Sequence, residues 1–242
     1  MTSLRVAVVT GGTRGIGRGC AEALKEAGYR VVANYVGNDE AARKFHDETG
    51  IAVRKWNVAD HAACAAAVAA LVASEGPVEV LVNNAGISPD RFIHKMPRES
   101  WEAVIDTNLG ACYNMCHIVL PSMRERKFGR IINMSSISAA RPSYGEAAYG
   151  ASKAGMIAFT NALALENGRL NITANAIAPG YTDTDMLTPA PKEWLQQQID
   201  RTPVQRLGTP AEIGRCVVFL AADESGFITG SLLTVSGGYH LA

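Results

Sequence analysis

Short runs of valine, isoleucine and leucine alternate along the chain with longer stretches whose apolar residues recur every three or four positions. Strands buried on both faces and amphipathic helices give these two signatures. Apolar runs predict strands over Arg5–Thr10, Tyr29–Tyr35, Ala52–Asn57, Val78–Val82, Arg130–Ser135, Asn171–Ala178 and Leu232–Val235. Helical periodicity predicts helices over Arg18–Ala27, Asp39–Thr49, Asp60 to about Glu75, Arg98–Arg126, Tyr149–Asn167, Lys192–Ile199 and Pro210–Ala222. Gly28, Gly50 and Gly76-Pro77 end helices, and Asp60 starts one. Pro121 is expected to kink or break the long helix that contains it. Regular alternation of strand and helix predicts an α/β domain with a doubly wound parallel sheet. No linker, repeat or low-complexity segment divides residues 1–242, which read as one domain. A polar, proline-bearing stretch, Tyr181 to Pro191, has no periodicity and reads as a flap over a site, reaching with the next helix to about residue 200.

Composition narrows the function. Lys plus Arg and Asp plus Glu both number 23, so the net charge of zero gives no electrostatic case for nucleic acid or an anionic membrane. The longest apolar run, Ala62 to Ala73, is too short to span a bilayer. Five cysteines form no disulfide framework and suit a reducing compartment. Cys112, Cys116 and His117 match no zinc spacing, so no metal site is expected. Met1 to Arg5 lead into a strand with no signal peptide pattern, and a cytoplasmic protein is expected.

Three stretches carry chemistry. Gly11, Gly15 and Gly17, with Thr13, Arg14 and Ile16 between them, join the first strand to the first helix. Strand, glycine turn and helix are the context of a dinucleotide site, where backbone and helix N-terminus meet a pyrophosphate; a plain glycine turn is the other reading. The second strand ends in Asn34-Tyr35 with no acid until Asp39, while Arg14 sits in the turn. That favours a 2′-phosphate, hence NADP, over a free ribose 2′-hydroxyl, unless Arg14 is only a solvated turn residue. Asn57-Val58, at the third strand's end, is where an adenine would rest. Asn83 and Asn84 precede Ala85-Gly86 after the fourth strand, where side-chain amides can tie strands together and Gly86 lets a cofactor pass; an ordinary turn fits equally well. Finally, Ser136 ends the fifth strand, and Tyr149 and Lys153 share one helix face four residues apart. A hydroxyl, a phenol and an ammonium there suggest proton transfer to or from a carbonyl oxygen.

Taken in order, these pieces resemble the short-chain dehydrogenase/reductase family. The likeness covers nearly the whole chain and rests on Thr10-Gly11 with Gly15 and Gly17, Asn83–Gly86, Asn108, Ser136 thirteen residues before Tyr149, Lys153, and Pro179-Gly180. It implies a Rossmann-type sheet of about seven strands with helices on both faces, usually as a homotetramer. It implies that Tyr149 exchanges the proton, Ser136 donates to the substrate oxygen, Lys153 binds nicotinamide ribose, and Asn108 holds a water linked to Lys153. It also implies that Asn84, Ala85, Gly86, Pro179, Gly180, Thr182 and Thr184 border the cofactor beside the glycine turn. Within the family the chain is most similar to acetoacetyl-CoA and 3-oxoacyl-carrier-protein reductases, so a small acyl-thioester substrate is expected. The linker Ser138 to Ala148 departs from the glycine- and glutamine-rich pattern of the former, with Ala140, Ser143 and Glu146 in place of glutamines. Ser138, Tyr144, Glu146 and Tyr181 are the residues expected to shape the substrate pocket. Another small ketone, diketone, alcohol or sugar is the alternative substrate, and a non-catalytic NADP-binding protein is the alternative of another class.

Overall fold

The computed structural model describes residues 4–187 and 190–241. Its seven strands are β1 (Val6–Val9), β2 (Arg30–Tyr35), β3 (Ala52–Lys55), β4 (Val78–Asn83), β5 (Gly129–Met134), β6 (Ile172–Pro179) and β7 (Leu232–Val235). All pair in parallel in one sheet of order β3-β2-β1-β4-β5-β6-β7. The helices are α1 (Gly15–Glu26), α2 (Asp39–Thr49), α3 (His61–Glu75), α4 (Arg98–Ile105), α5 (Ala111–Arg126), α6 (Ala147–Asn167), α7 (Lys192–Arg201) and α8 (Pro210–Ala221).

Alternation along the strands builds two cores. Val6 and Val8 point into one with residues of α3, α5 and α6. Ala7 and Val9 point into the other with residues of α1, α2 and α8. Chain order reverses between β1 and β4, so the strand ends there open a crevice for a ligand.

Helix boundaries differ from expectation at three informative places. First, α1 starts at Gly15, inside the glycine turn, three residues earlier than periodicity indicated. Second, α6 starts at Ala147, so Tyr149 lies in its first turn. Third, Pro121 does not break its helix: α5 runs through it. Pro121 and His117, whose carbonyl loses its partner, both face solvent, where water can satisfy that carbonyl. The irregularity falls instead at Asp106–Gly110, a π-helical turn between α4 and α5 that contains Asn108.

Glycines set the approach of α1 to α8. A Cβ on Gly19 would lie 2.4 Å from the Pro210 carbonyl, and one on Gly214 would lie 2.4 Å from the Gly19 carbonyl oxygen. These obstacles are backbone, so the helices would have to part. Gly19→Ala is expected to cost about 1–3 kcal/mol of stability, as overpacking does; urea unfolding that agrees with the parent within error would show that the interface yields freely.

Candidate active site

The glycine turn is held from three sides. The Thr10 hydroxyl accepts the Asn84 and Ala85 N–H groups at 2.9 and 3.0 Å, tying the end of β1 to the end of β4. The Asn84 amide donates to the Thr10 and Gly11 carbonyls at 2.9 and 3.2 Å. Asn34, buried at the end of β2, accepts the Gly11 N–H at 3.3 Å and donates to the Trp56 carbonyl at 2.9 Å. Gly11 has φ +60, and a Cβ on Gly17 would lie 2.1 Å from the Gly11 carbonyl oxygen. Only glycine lets α1 start this close to the turn. No side chain caps α1 and its first turn holds no acid, so its N–H groups and positive dipole end are open to an anion. Thr13 and Ile16 are half-buried and Arg14 is exposed. Thr184 lies over the turn, its methyl 3.4 Å from where a Gly15 Cβ would stand. A hollow of about 320 Å³ opens there, lined by Gly15, Arg18, Thr184, Asp185, Thr209 and Pro210 among others. It lies beside the glycine turn; Tyr149 is not in its wall.

Beyond β2, Asp39 is the nearest acid, and it is engaged elsewhere. Lys55 donates to both its oxygens at 2.9 Å. Hydrogen bonds from Lys55 and then Tyr35 hold its carboxyl below the usual range. Asn57 turns its side chain onto the Ala59 N–H, and the Val58 carbonyl accepts from buried Asn114 at 3.0 Å. Sequence reading missed Asn114, although it is a polar residue in the otherwise apolar buried face of α5.

At the end of β5 the reactive groups converge. Register places Asn83 beside Asn133, and the Asn83 amide donates to Asn133 Oδ1 at 2.8 Å. Asn133 donates in turn to Thr160 of α6 at 2.8 Å. The expected tie between strands is therefore present, and it continues into a helix. Lys153 is buried and donates to the Met134 carbonyl at 2.6 Å. Its ammonium stands 5.5 Å from the Tyr149 ring centre. The Ser135 hydroxyl donates to the Lys153 carbonyl at 2.9 Å. Ser136 accepts the Ser138 N–H at 3.1 Å, and its side chain is near enough to the Tyr149 phenol to oppose the rise in its pKa.

Asn108 is fully buried with its amide committed. It accepts the Ile87 N–H at 2.8 Å and donates to the Ile87 carbonyl and the Ser152 hydroxyl, both at 3.0 Å. Ser152 donates to the Tyr149 carbonyl at 2.7 Å. The Asn108 main-chain carbonyl accepts the Cys112 thiol at 3.3 Å. A Cβ on Gly86 would lie 3.1 Å from Asn108 Oδ1 and 3.6 Å from Lys153 Nζ. The backbone thus passes Asn108 closely, at a distance where a Cβ would be tight.

Burial governs the two titrating groups. It pushes the Tyr149 phenol up to about 12, opposed by the neighbouring Ser136 side chain and helped by the charges of Glu146 and Asp90. It pushes the Lys153 ammonium down to about 8. Lys153 is not among the groups that shift Tyr149; its ammonium is turned to the Met134 carbonyl. At neutral pH the site holds a protonated phenol.

The residues expected on the substrate side divide. Ser138 is buried next to Ser136. Glu146 accepts the Ser143 N–H at 2.7 Å and precedes α6. Tyr144 is 93% exposed, its ring 6.4 Å from that of Phe92, so it stands outside the buried site. Tyr181 is half-buried, edge-on to Trp194 at 5.5 Å and to Tyr239 at 5.0 Å. Tyr239, near the end of the chain, was not anticipated, since no local pattern signals a contact with α7. Gly180 bonds the Val235 carbonyl at 2.9 Å, and Thr182 donates back to the Gly180 carbonyl. The expected flap begins here; Thr188 and Pro189 lie outside the described residues.

A family model described as enoyl-(acyl carrier protein) reductase matches residues 11–240. An acetoacetyl-CoA reductase of Shinella zoogloeoides is 53% identical over 97% of this chain and 98% of its own length. One from Rhizobium meliloti is 51% identical over 98% and 99%. A 3-oxoacyl-(acyl-carrier-protein) reductase of Chlamydia muridarum is 41% identical over 97% and 96%. The chain belongs to the short-chain dehydrogenase/reductase family. Among solved structures, an Agrobacterium tumefaciens protein provisionally assigned as a gluconate dehydrogenase superposes with a TM-score of 0.94. It is 32% identical and is covered to 97%, against 99% of this chain.

As a member of this family the protein is an oxidoreductase that uses a nicotinamide cofactor. The cradle fits one: its glycines admit no Cβ, and the α1 N-terminus faces it uncapped. The buried ammonium also yields a pH signature. With its folded pKa depressed, Lys153 binds fewer protons in the folded than in the unfolded chain between about 8 and 10.5, so its penalty fades as pH rises through that window. Relative to Lys153→Met, the parent should gain about 2 kcal/mol between roughly pH 7 and 9.5. Denaturant titrations of both proteins at the two pH values measure this; a difference independent of pH would mean that Lys153 is not desolvated.

Proposed function

We propose that the protein catalyses NADPH-dependent reduction of a 3-oxoacyl thioester, with acetoacetyl-CoA as the foremost substrate, to the 3-hydroxyacyl thioester. The observation that carries the reaction is the Tyr149 phenol, protonated at neutral pH, with the Lys153 ammonium 5.5 Å from its ring centre and Ser136 ahead of it at the end of β5. The substrate class rests on relatives of that name at 51–53% identity over nearly the whole chain. When bound, the nicotinamide supplies the hydride. Tyr149 donates the proton to the substrate oxygen, and Ser136 donates a hydrogen bond to it as charge develops. Lys153 orients the ribose. The Asn108 main-chain carbonyl, rather than its committed amide, holds the water through which the proton is replaced.

NADPH is favoured by the exposed Arg14 and by the engagement of Asp39 with Lys55 and Tyr35. The cofactor's adenine end lies toward Tyr35, Asn57 and Val58. Its phosphates lie toward Gly11, Thr13, Gly15 and Ile16, and its nicotinamide toward Ala85, Gly86, Pro179, Thr182 and Thr184. The segment from Tyr181 closes over it as a flap of one catalytic domain. Apolar side chains on α8 and beside the β7 edge, Phe219, Phe227 and Leu232, are exposed and suit a homotetramer. Among the described residues no helix is long and apolar enough to cross a membrane. With five free cysteines, that agrees with a cytoplasmic enzyme. A polyol or sugar-acid substrate is the second reading, favoured by the 32%-identical structure and the altered linker.

Purified protein should oxidise NADPH with acetoacetyl-CoA in preference to diketones and ketoses; turnover of only the latter would refute the thioester assignment. Tyr149→Phe should lower kcat by roughly 10²–10⁴ and leave NADPH affinity nearly unchanged, which stopped-flow rates and cofactor fluorescence can separate. Arg14→Ala should weaken NADPH about 10- to 100-fold, the worth of a charged hydrogen bond, and NADH hardly at all. Equal weakening would remove Arg14 from the 2′-phosphate.

A further inference from the structure

Helix α6 carries both Tyr149 and Lys153, yet little apolar bulk holds its first half in place. The buried residues there are Ala148, Gly150, Ser152 and Lys153, and the first large apolar one is Met156. Apolar contact is non-directional, so it resists sliding poorly. Directional bonds from the strand end take its place.

Three successive residues at the end of β5 grip the helix. The Asn133 amide donates to the Thr160 hydroxyl at 2.8 Å. The Met134 carbonyl accepts the Lys153 ammonium at 2.6 Å. The Ser135 hydroxyl donates to the Lys153 carbonyl at 2.9 Å. From Lys153 to Thr160 is two turns, roughly 10 Å along the helix. Anchors that far apart fix both the slide and the rotation of α6 against β5.

The far anchor is itself fixed. Asn133 and Thr160 are fully buried in the apolar core between the sheet and α5 and α6. Thr160 spends its one proton on the Met156 carbonyl at 2.7 Å, so it accepts from Asn133. Asn133 Oδ1 accepts Asn83 of β4 at 2.8 Å, and the same Asn83 amide lies 3.4 Å from Cys116 Sγ of α5. Apolar side chains would fill this space as well; a bonded set also specifies one register.

We infer that Asn133 and Thr160 are positioning residues for the reduction: their bond sets the height of α6 against β5, and with it the places of the Lys153 ammonium and the Tyr149 phenol. They act through the helix and not on the substrate. The inference rests on the use of these two groups in carbonyl reduction proposed above.

Thr160→Val tests it, because valine keeps the shape and deletes the acceptor. For acetoacetyl-CoA, kcat should fall about 10- to 100-fold, as a small misplacement of reacting groups does, with KM within about threefold of the parent. Thr160→Ser restores the hydroxyl and should recover most of kcat. Leu163→Ala is the control, since the Leu163 side chain is buried one turn further along α6 and takes no part in these bonds. It should unfold at lower urea than the parent, through the cavity it leaves, yet keep kcat. A second readout needs no turnover. Burial holds the Lys153 ammonium down to about 8, against the Cys112 thiol, which raises it, and the Tyr149 ring centre is 5.5 Å away. Carbon-13 NMR of labelled lysine, assigned with Lys153→Met, should show this titration move toward the ordinary lysine value of about 10.4 in Thr160→Val, and stay in place in Leu163→Ala. Parent-like kcat and lysine titration in Thr160→Val would overturn the inference, as would a loss of kcat that Leu163→Ala shares or Thr160→Ser fails to repair. If Thr160→Val does not fold, Thr160→Ala decides by the same readouts. If the parent reduces no 3-oxoacyl thioester, the proposed function fails and the lysine titration alone judges the positioning: a moved titration keeps it, an unmoved one ends it.

Discussion

A buried ammonium, Lys153 against the Met134 carbonyl, is the constraint to which the surrounding structure answers. A cation in a dry setting needs fixed partners nearby. Met134 is the last residue of β5, so the bond ties α6 to the strand end where the crevice opens. Gly86 lets the β4 loop pass close to Asn108, where a Cβ would stand 3.1 Å from its Oδ1. The π-helical turn at Asp106–Gly110 brings Asn108 inward, and its amide binds the same loop through Ile87 and α6 through Ser152. Tyr149, one turn before Lys153, inherits its place from these bonds.

The same burial sets the electrostatics. Low dielectric disfavours both charged forms, so Tyr149 keeps its proton and Lys153 is held less firmly charged than in water. For carbonyl reduction this is the useful state of the phenol. Even near 12, tyrosine is a stronger acid than water at about 15.7, and aliphatic alcohols resemble water in this respect. Transfer to a developing alkoxide is then favourable by roughly 5 kcal/mol. Oxidation would need a phenolate, and without cofactor nothing in the site supplies one. Positive charge on an oxidised nicotinamide is what that direction would add.

Much of this was legible in the sequence because it rests on local rules. Valine-rich runs, glycine ends of helices and the spacing of Tyr149 to Lys153 are short-range signals, and the parallel sheet with its glycine cradle follows from them. Side chains that act across the fold were not legible. Tyr239 meets Gln198 and Tyr181 only after Gly237-Gly238 turns the chain back, and no period in the sequence encodes that meeting. Asn34 stands out in the sequence only as the polar end of β2, while its amide holds the glycine turn to Trp56. Pro121 looked like a breaker because sequence does not say which helix face meets water. Tyr144 and Glu146 share the linker, but one stands in solvent and the other is tied to Ser143.

The fold presents Tyr149 as a proton donor, and its ionisation is the direct test. Ultraviolet tyrosinate absorbance, titrated for the cofactor-free parent and for Tyr149→Phe, isolates this phenol by difference. No difference signal is expected below the ordinary tyrosine pKa of about 10. A transition present in the parent, absent from Tyr149→Phe and centred near neutrality would contradict it.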